Sequence, residues 1–211
     1  DTHVYTPTPA DAKKIADAKL VIVNGLGLEG WLPRLVKSSG SKAVTVVATK
    51  GVTARKIEDG HSHDPADADP HAWQSVDNAK IYVTNIRDAL IAADPAGAEA
   101  YRVNVTAYLA KLDALDRDVR ETVAKIPSER RSVISTHDAF GYFAAAYGIK
   151  FIAPQGVSTE SEPSARDIAA IITQIKKQKI PAVFLENVTN PRLMQRIAAE
   201  TGAKIGGTLY S

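Results

Sequence analysis

Five histidines, His3, His61, His63, His71 and His137, are the side chains best suited to chemistry in this chain of 211 residues, which has no cysteine. Thiolate metal sites and disulfides are therefore excluded, and metal chemistry here must run on nitrogen and oxygen ligands. Neutral imidazoles are favoured ligands of Zn²⁺, and a tetrahedral site takes three of them plus a carboxylate or a water. His3, His71 and His137 lie far apart in the sequence, so no local metal motif joins them. What they share is position, because each falls at the end of an expected element rather than inside an apolar stripe. In open α/β sheets, ligands collect at the carboxyl ends of strands. Spacing alone leaves open the reading of each as a surface or strand-end histidine with a satisfied hydrogen bond.

A second group, His61, His63, Asp64, Asp67 and Asp69, sits in the stretch IEDGHSHDPADADP, which is polar after Ile57 and rich in Asp, Pro and Gly. It reads as a solvated surface loop that binds metal weakly, or as one with a role in metal capture or transfer. His61-Ser-His63-Asp64 also has the form of the HxHxD portion of a binuclear metallohydrolase site. Against that reading, the HxH lies in a loop rather than at a strand end.

The elements that must position these residues follow an α/β rhythm. Thr8-Pro9-Ala10-Asp11 is a helix start with a capping box, and LVIVNG (20–25) and AVTVVATKG (43–51) read as parallel strands buried on both faces, joined by a helix in WLPRLVKSS. Val76, Ala79, Val83, Ile86 and Leu90 mark an amphipathic helix. A longer helix is expected from about Ala96 to Lys125, with Tyr101, Val105, Tyr108, Leu112, Leu115, Val119 and Val123 as its apolar stripe and a length of about 45 Å. Four strands then alternate with three helices: SVIST (132–136), a helix from Ala139, KFIAPQ (150–155), a helix capped by Ser164, PAVFLENV (181–188), a helix opened by Asn190-Pro191, and AKIGGTLYS. The expected organisation is an N-terminal lobe over 1–95, a linker helix over 96–126 and a C-terminal lobe over 127–211, each lobe α/β with a parallel sheet.

Composition narrows the function. The 26 basic and 24 acidic residues leave a net charge of +2, without the basic excess that holds a nucleic-acid backbone. No apolar run approaches the roughly 20 residues of a membrane span, and the first residues lack the pattern of a signal peptide. A soluble chain is expected, with any export signal removed or outside the segment.

His3-Val-Tyr-Thr-Pro-Thr-Pro-Ala-Asp11, Asn24-Gly-Leu-Gly-Leu-Glu-Gly-Trp31, Asp69-Pro-His-Ala-Trp73 and Ser135-Thr-His-Asp-Ala-Phe-Gly-Tyr142, in that order, resemble the zinc and manganese solute-binding proteins of bacterial ABC importers. The resemblance implies two α/β lobes joined by one long helix, with the metal in the cleft between them and His3, His71 and His137 as ligands. It implies binding rather than catalysis, in the periplasm or elsewhere outside the cytoplasm, although some members were once regarded as adhesins. Manganese-taking members tend to carry a carboxylate where this chain has His137, which favours Zn²⁺ here. The family has a strand ahead of the His3 segment and an acidic fourth ligand just after the strand GGTLYS, so the segment is expected to be trimmed at both ends. Glu186 and Asn24, with Glu29, Trp73 and Asp138, are candidates for groups standing behind the ligands. Asp138 reads equally as a helix N-cap, and the others as packing or turn residues. The expected partners are zinc, the membrane permease of an ABC importer and a periplasmic zinc metallochaperone, with the chain itself a monomer.

Overall fold

The computed structural model describes residues 2–57, 68–157, 159 and 162–211. His61, His63, Asp64 and Asp67 lie outside the described residues. In the N-terminal lobe, α1 (Pro9–Asp17) precedes β1 (Leu20–Val23), α2 (Leu32–Ser38) and β2 (Val44–Val47), and β1 and β2 pair in parallel. Thr8 caps α1 as the sequence predicts: its side chain accepts from the Asp11 N–H while the Asp11 carboxylate accepts from the Thr8 N–H.

This small sheet departs from expectation. Ile22, Val44 and Val47 are exposed at 39%, 64% and 41%, so the strands are not buried on both faces. The reason is geometric: α3 (Val76–Ala93) packs against the two strands, whereas beside α2 an apolar groove of about 530 Å³ remains, lined by Val23, Leu32, Val36 and Val47.

Helix α4 (Ala98–Ala124) has 27 residues and spans about 40 Å, somewhat shorter than expected. Its buried seam runs through Leu112 and Val123, with Leu109 and Val119 partly buried beside them. Tyr108 and Leu115, predicted for the apolar stripe, are instead exposed at 51% and 49%. At about 100° per residue, Leu109 and Leu112 centre the seam and their neighbours turn off its edge. The seam meets Val76, Ala79 and Val83 of α3 together with Phe143, Ala146 and Tyr147 of α5 (Gly141–Tyr147). One helix thus braces elements of both lobes.

The C-terminal lobe carries β3 (Ser132–Ile134), β4 (Lys150–Ile152), α6 (Ala165–Gln178), β5 (Ala182–Glu186), α7 (Arg192–Thr201) and β6 (Lys204–Leu209). The sheet order is β4-β3-β5-β6, every pair parallel. Ile171 and Ile175 of α6 and Met194 and Ile197 of α7 close over Ile134 and Val183 to form its core. The chain leaves β3 toward one edge and returns to β5 on the other side, so the topological switch point lies between β3 and β5, where crevices open outside the carboxyl ends of strands. Helix α5 begins at Gly141, two residues later than expected, and its N-cap is Phe140, so Asp138 is not the cap.

Ile197 is fully buried. Ile197→Ala should cost about 2–5 kcal/mol, seen as a lower urea midpoint with an unchanged slope. Tyr108→Ala, on the exposed face of α4, should stay within about 0.5 kcal/mol.

Candidate metal centre

His137 and Glu186 stand at the switch point. Glu186 is the last residue of β5, and His137 follows β3, its backbone still tied to the sheet by a parallel bridge to Gln155. Glu186 Oε1 accepts from the backbone N–H groups of Thr136 and His137 at 2.7 and 3.0 Å, while Oε2 takes the Nδ1 of the His137 ring. The Ser211 hydroxyl also donates to Oε2, at 2.9 Å. Burial by itself raises the pKa of this carboxyl, but the bonds from the His137 ring and backbone, the charge of that ring and the Ser211 hydroxyl outweigh it, holding Glu186 below the ordinary glutamate range.

His71 is held in the same way from the other lobe. Asp69 Oδ1 accepts from the His71 backbone N–H at 3.0 Å and meets its ring Nδ1 at 2.9 Å. Asp69 was expected to act with the polar loop; it is instead 4% exposed and engaged by His71, because the Asp-Pro-His turn folds the carboxylate back onto the residue two positions on. An ionised carboxylate only accepts, so each Nδ1 carries a proton, and the neutral form of each ring then holds its lone pair on Nε2.

His3 completes the group from the N-terminal segment. That segment is anchored by the Trp31 indole, which donates to the Thr2 carbonyl at 3.0 Å, and by the Tyr5 ring, 5.0 Å from that of Trp31. His3 Nε2 and His71 Nε2 are 3.0 Å apart. Such an approach suits an N–H facing a lone pair, or two lone pairs on one ion, since a tetrahedron with bonds of 2.0–2.1 Å has an edge of about 3.3 Å. One nitrogen from each of His3, His71 and His137 lies within 4.8 Å of the others. The rings line a cavity of about 40 Å³ together with Leu28, Trp73 and Ser211, while on its outer side His3 faces a cleft of about 720 Å³ shared with Tyr5, Trp31 and Arg34.

Asn24, Glu29 and Trp73 stand one step back from the imidazoles. Asn24 Nδ2 donates to the Pro70 carbonyl at 2.9 Å, beside His71, and its Oδ1 accepts from Tyr82 at 2.6 Å. Glu29 braces that turn by accepting from the Asn24 and Gly25 N–H groups. Gly25 has a φ of +85°, and a Cβ there would meet Val47 at 2.6 Å, so the turn needs glycine. Trp73 sets its ring edge-on to His71 at 5.3 Å. Asp69 and Tyr82 were the residues that sequence reasoning misplaced or missed. For Asp69, the signal was its place two residues ahead of a candidate ligand across a proline; for Tyr82, inside an ordinary amphipathic helix, there was none.

Two parallel-sheet α/β lobes braced by a long helix, with imidazoles from both lobes converging on one small cavity, define a solute-binding protein of the kind that takes metal ions. The chain belongs to the family of periplasmic metal-binding proteins of ABC importers whose model, zinc-uptake complex component A, periplasmic, matches residues 1–211. Similar relatives include the iron-binding protein YfeA of Yersinia pestis, 38% identical over 210 residues, which are 100% of this chain and 67% of that protein. The manganese-binding lipoprotein MntA of Halalkalibacterium halodurans is 35% identical over 211 residues, covering 100% of this chain and 68% of that one. Among solved structures, the periplasmic zinc-binding protein TroA from Treponema pallidum superposes with a TM-score of 0.91 at 31% identity, covering 100% of this chain and 77% of that one. Members of this family are substrate-binding proteins that pass metal ions to a membrane permease, not enzymes, which removes the metallohydrolase reading. Among the described residues, no helix is long and apolar enough to cross a membrane.

Burial, followed by repulsion from His71 and His137, pushes the His3 imidazole down from 6.5 to about 4. In the unfolded chain His3 takes up a proton as pH falls below about 6.5; in the folded, metal-free protein it does not until about 4. Stability should therefore fall with pH across that window. Urea midpoints between neutral pH and pH 4 should show the decline, and His3→Ala should make it shallower; an unaltered slope would remove His3 as its source.

Proposed function

We propose that this chain captures zinc outside the cytoplasm through His3, His71 and His137 and delivers it to the permease of an ABC importer. One observation carries the zinc reading: three imidazole nitrogens converge on one point, and two of them have their outer Nδ1 fixed by a buried carboxylate. Carboxylate–imidazole pairing of this kind sets the tautomer and raises the basicity of a ligating nitrogen. A nitrogen-rich donor set favours zinc over manganese, which prefers carboxylate, carbonyl and water oxygens. The fourth tetrahedral position falls to water or an oxygen ligand, and Ser211 lines the cavity beside it. Relatives named for iron and manganese share the scaffold, so the choice of ion rests on the ligand set of this chain.

Titration with Zn²⁺ and Mn²⁺, separately and in competition, tests this. One zinc per chain should bind and displace manganese, and Glu186→Gln should weaken zinc binding by about 10–100-fold. Replacing His71 or His137 by alanine should weaken it further. Manganese binding as tightly as zinc would overturn the choice of ion while leaving the site.

Zinc should also stabilise the native state, by about 2.7 kcal/mol at a hundred times its dissociation constant. The increment should shrink below pH about 6.5, because ligating imidazoles must be neutral. Denaturant midpoints with and without zinc measure it, and a His71→Ala chain that keeps the full increment would place the zinc elsewhere.

A further inference from the structure

We propose that Tyr142 is a positioning residue for the metal site: its hydroxyl, carried by helix α5 of the C-terminal lobe, is wedged into the N-terminal lobe's backbone pairing that carries Asp69, so that the presentation of His71 depends on the docking of α5. The proposal rests on the zinc-site reading above.

Lys56 and Ala68 form an antiparallel bridge, which sets Arg55 opposite Asp69 as the next pair. An opposed pair of the hydrogen-bonded type exchanges two N–H···O=C bonds. Here only one is direct, from the Asp69 N–H to the Arg55 carbonyl at 2.9 Å. The other passes through a side chain from the opposite lobe: the Arg55 N–H donates to the Tyr142 hydroxyl at 2.9 Å, and that hydroxyl donates to the Asp69 carbonyl at 2.9 Å. The phenol is thus acceptor and donor at once, and Tyr142 is 5% exposed.

The surrounding packing holds the wedge in place. A Cβ on Gly141 would stand 2.9 Å from Asp69 Oδ2 and 3.0 Å from Arg55 Nε, so a side chain there would have to displace one of these two groups. The Arg55 guanidinium lies 5.7 Å from the centre of the Tyr142 ring, and its Nε is 3.9 Å from Asp69 Oδ2. Asp69 is therefore held at its carbonyl by Tyr142 and flanked at one carboxylate oxygen by Arg55, while the other oxygen orients His71. Without the hydroxyl, the partly buried Arg55 N–H and the buried Asp69 carbonyl lose their bridge, and the pair relaxes by closing on itself. That movement displaces Asp69, and with it His71, relative to the other two imidazoles.

Tyr142→Phe removes the hydroxyl alone. Tyr147→Phe is the matched control, because Tyr147 is 7% exposed on the same helix and its hydroxyl donates to Asp116 at 2.9 Å, away from the site. In zinc titrations and stopped-flow release, Tyr142→Phe should raise the dissociation constant by about 10–100-fold, mainly through faster release, while Tyr147→Phe leaves both unchanged. In an Asp69→Asn background, Tyr142→Phe should add little, since the two act in series. An effect equal to that of Tyr147→Phe, or one that persists in full in the Asp69→Asn chain, would overturn the wedge. A wild-type chain that binds no zinc would instead overturn the reading of the site. Should Tyr142→Phe melt too low to titrate, amide exchange at Arg55 in the wild-type chain reads the same contact: protection should rise when zinc binds, and protection indifferent to zinc would sink the proposal.

Discussion

The fixed point of this molecule is the pairing of an imidazole with a buried carboxylate, made twice. Asp69 and Glu186 each take a ring Nδ1 and the backbone N–H of the same histidine, so ring and main chain are oriented by one group. A carboxylate buried at 4% exposure is tolerable only when its oxygens are satisfied, and here the partners are the candidate ligands. The local energetics of each pair therefore present the ring's other nitrogen to the shared cavity. Neither lobe can satisfy its own buried acid without presenting half of a site.

The two lobes reach this arrangement by different means. In the C-terminal lobe it is built into the sheet, with histidine and acid leaving neighbouring parallel strands at the place where the winding reverses. In the N-terminal lobe it is built on turns: Asp69-Pro70-His71 folds on itself, and Asn24 at the end of β1 secures the Pro70 carbonyl. Helices α3, α4 and α5 share one apolar cluster, which holds the two constructions in register.

Much of this was legible in the residues. Apolar β-branched runs stopped by glycine gave the strands, the Thr8 and Ser164 capping boxes gave helix starts, and the family resemblance, not spacing, singled out the three histidines whose rings converge. Glu186 could be singled out as an acid at the end of an apolar strand, where a charge needs a partner. What stayed hidden depends on contacts between distant segments. Tyr108 and Leu115 look as apolar as Leu112, and only the packing of α3 and α5 decides which side of α4 is inside. Asp69 looks like one more loop acid until the turn closes. Tyr142, in a motif singled out for its histidine, shows its role only where its hydroxyl meets Arg55 and Asp69.

Because His137 and Glu186 hang from adjacent strands, their separation is tied to the inter-strand spacing of about 4.8 Å, a dimension that ladder hydrogen bonds keep constant. That half of the cavity behaves as a fixed jaw. On the other side His3 stands on no strand: the Trp31 indole holds the Thr2 carbonyl beside it and the Tyr5 ring packs on Trp31, so its place is set by side-chain contacts. A difference in ionic radius is then met on the side where turns and side-chain contacts, not a sheet, set the ligands. On such a scaffold, changes in the tether of the first histidine can retune the preferred ion while the sheet beneath the other jaw stays as it is.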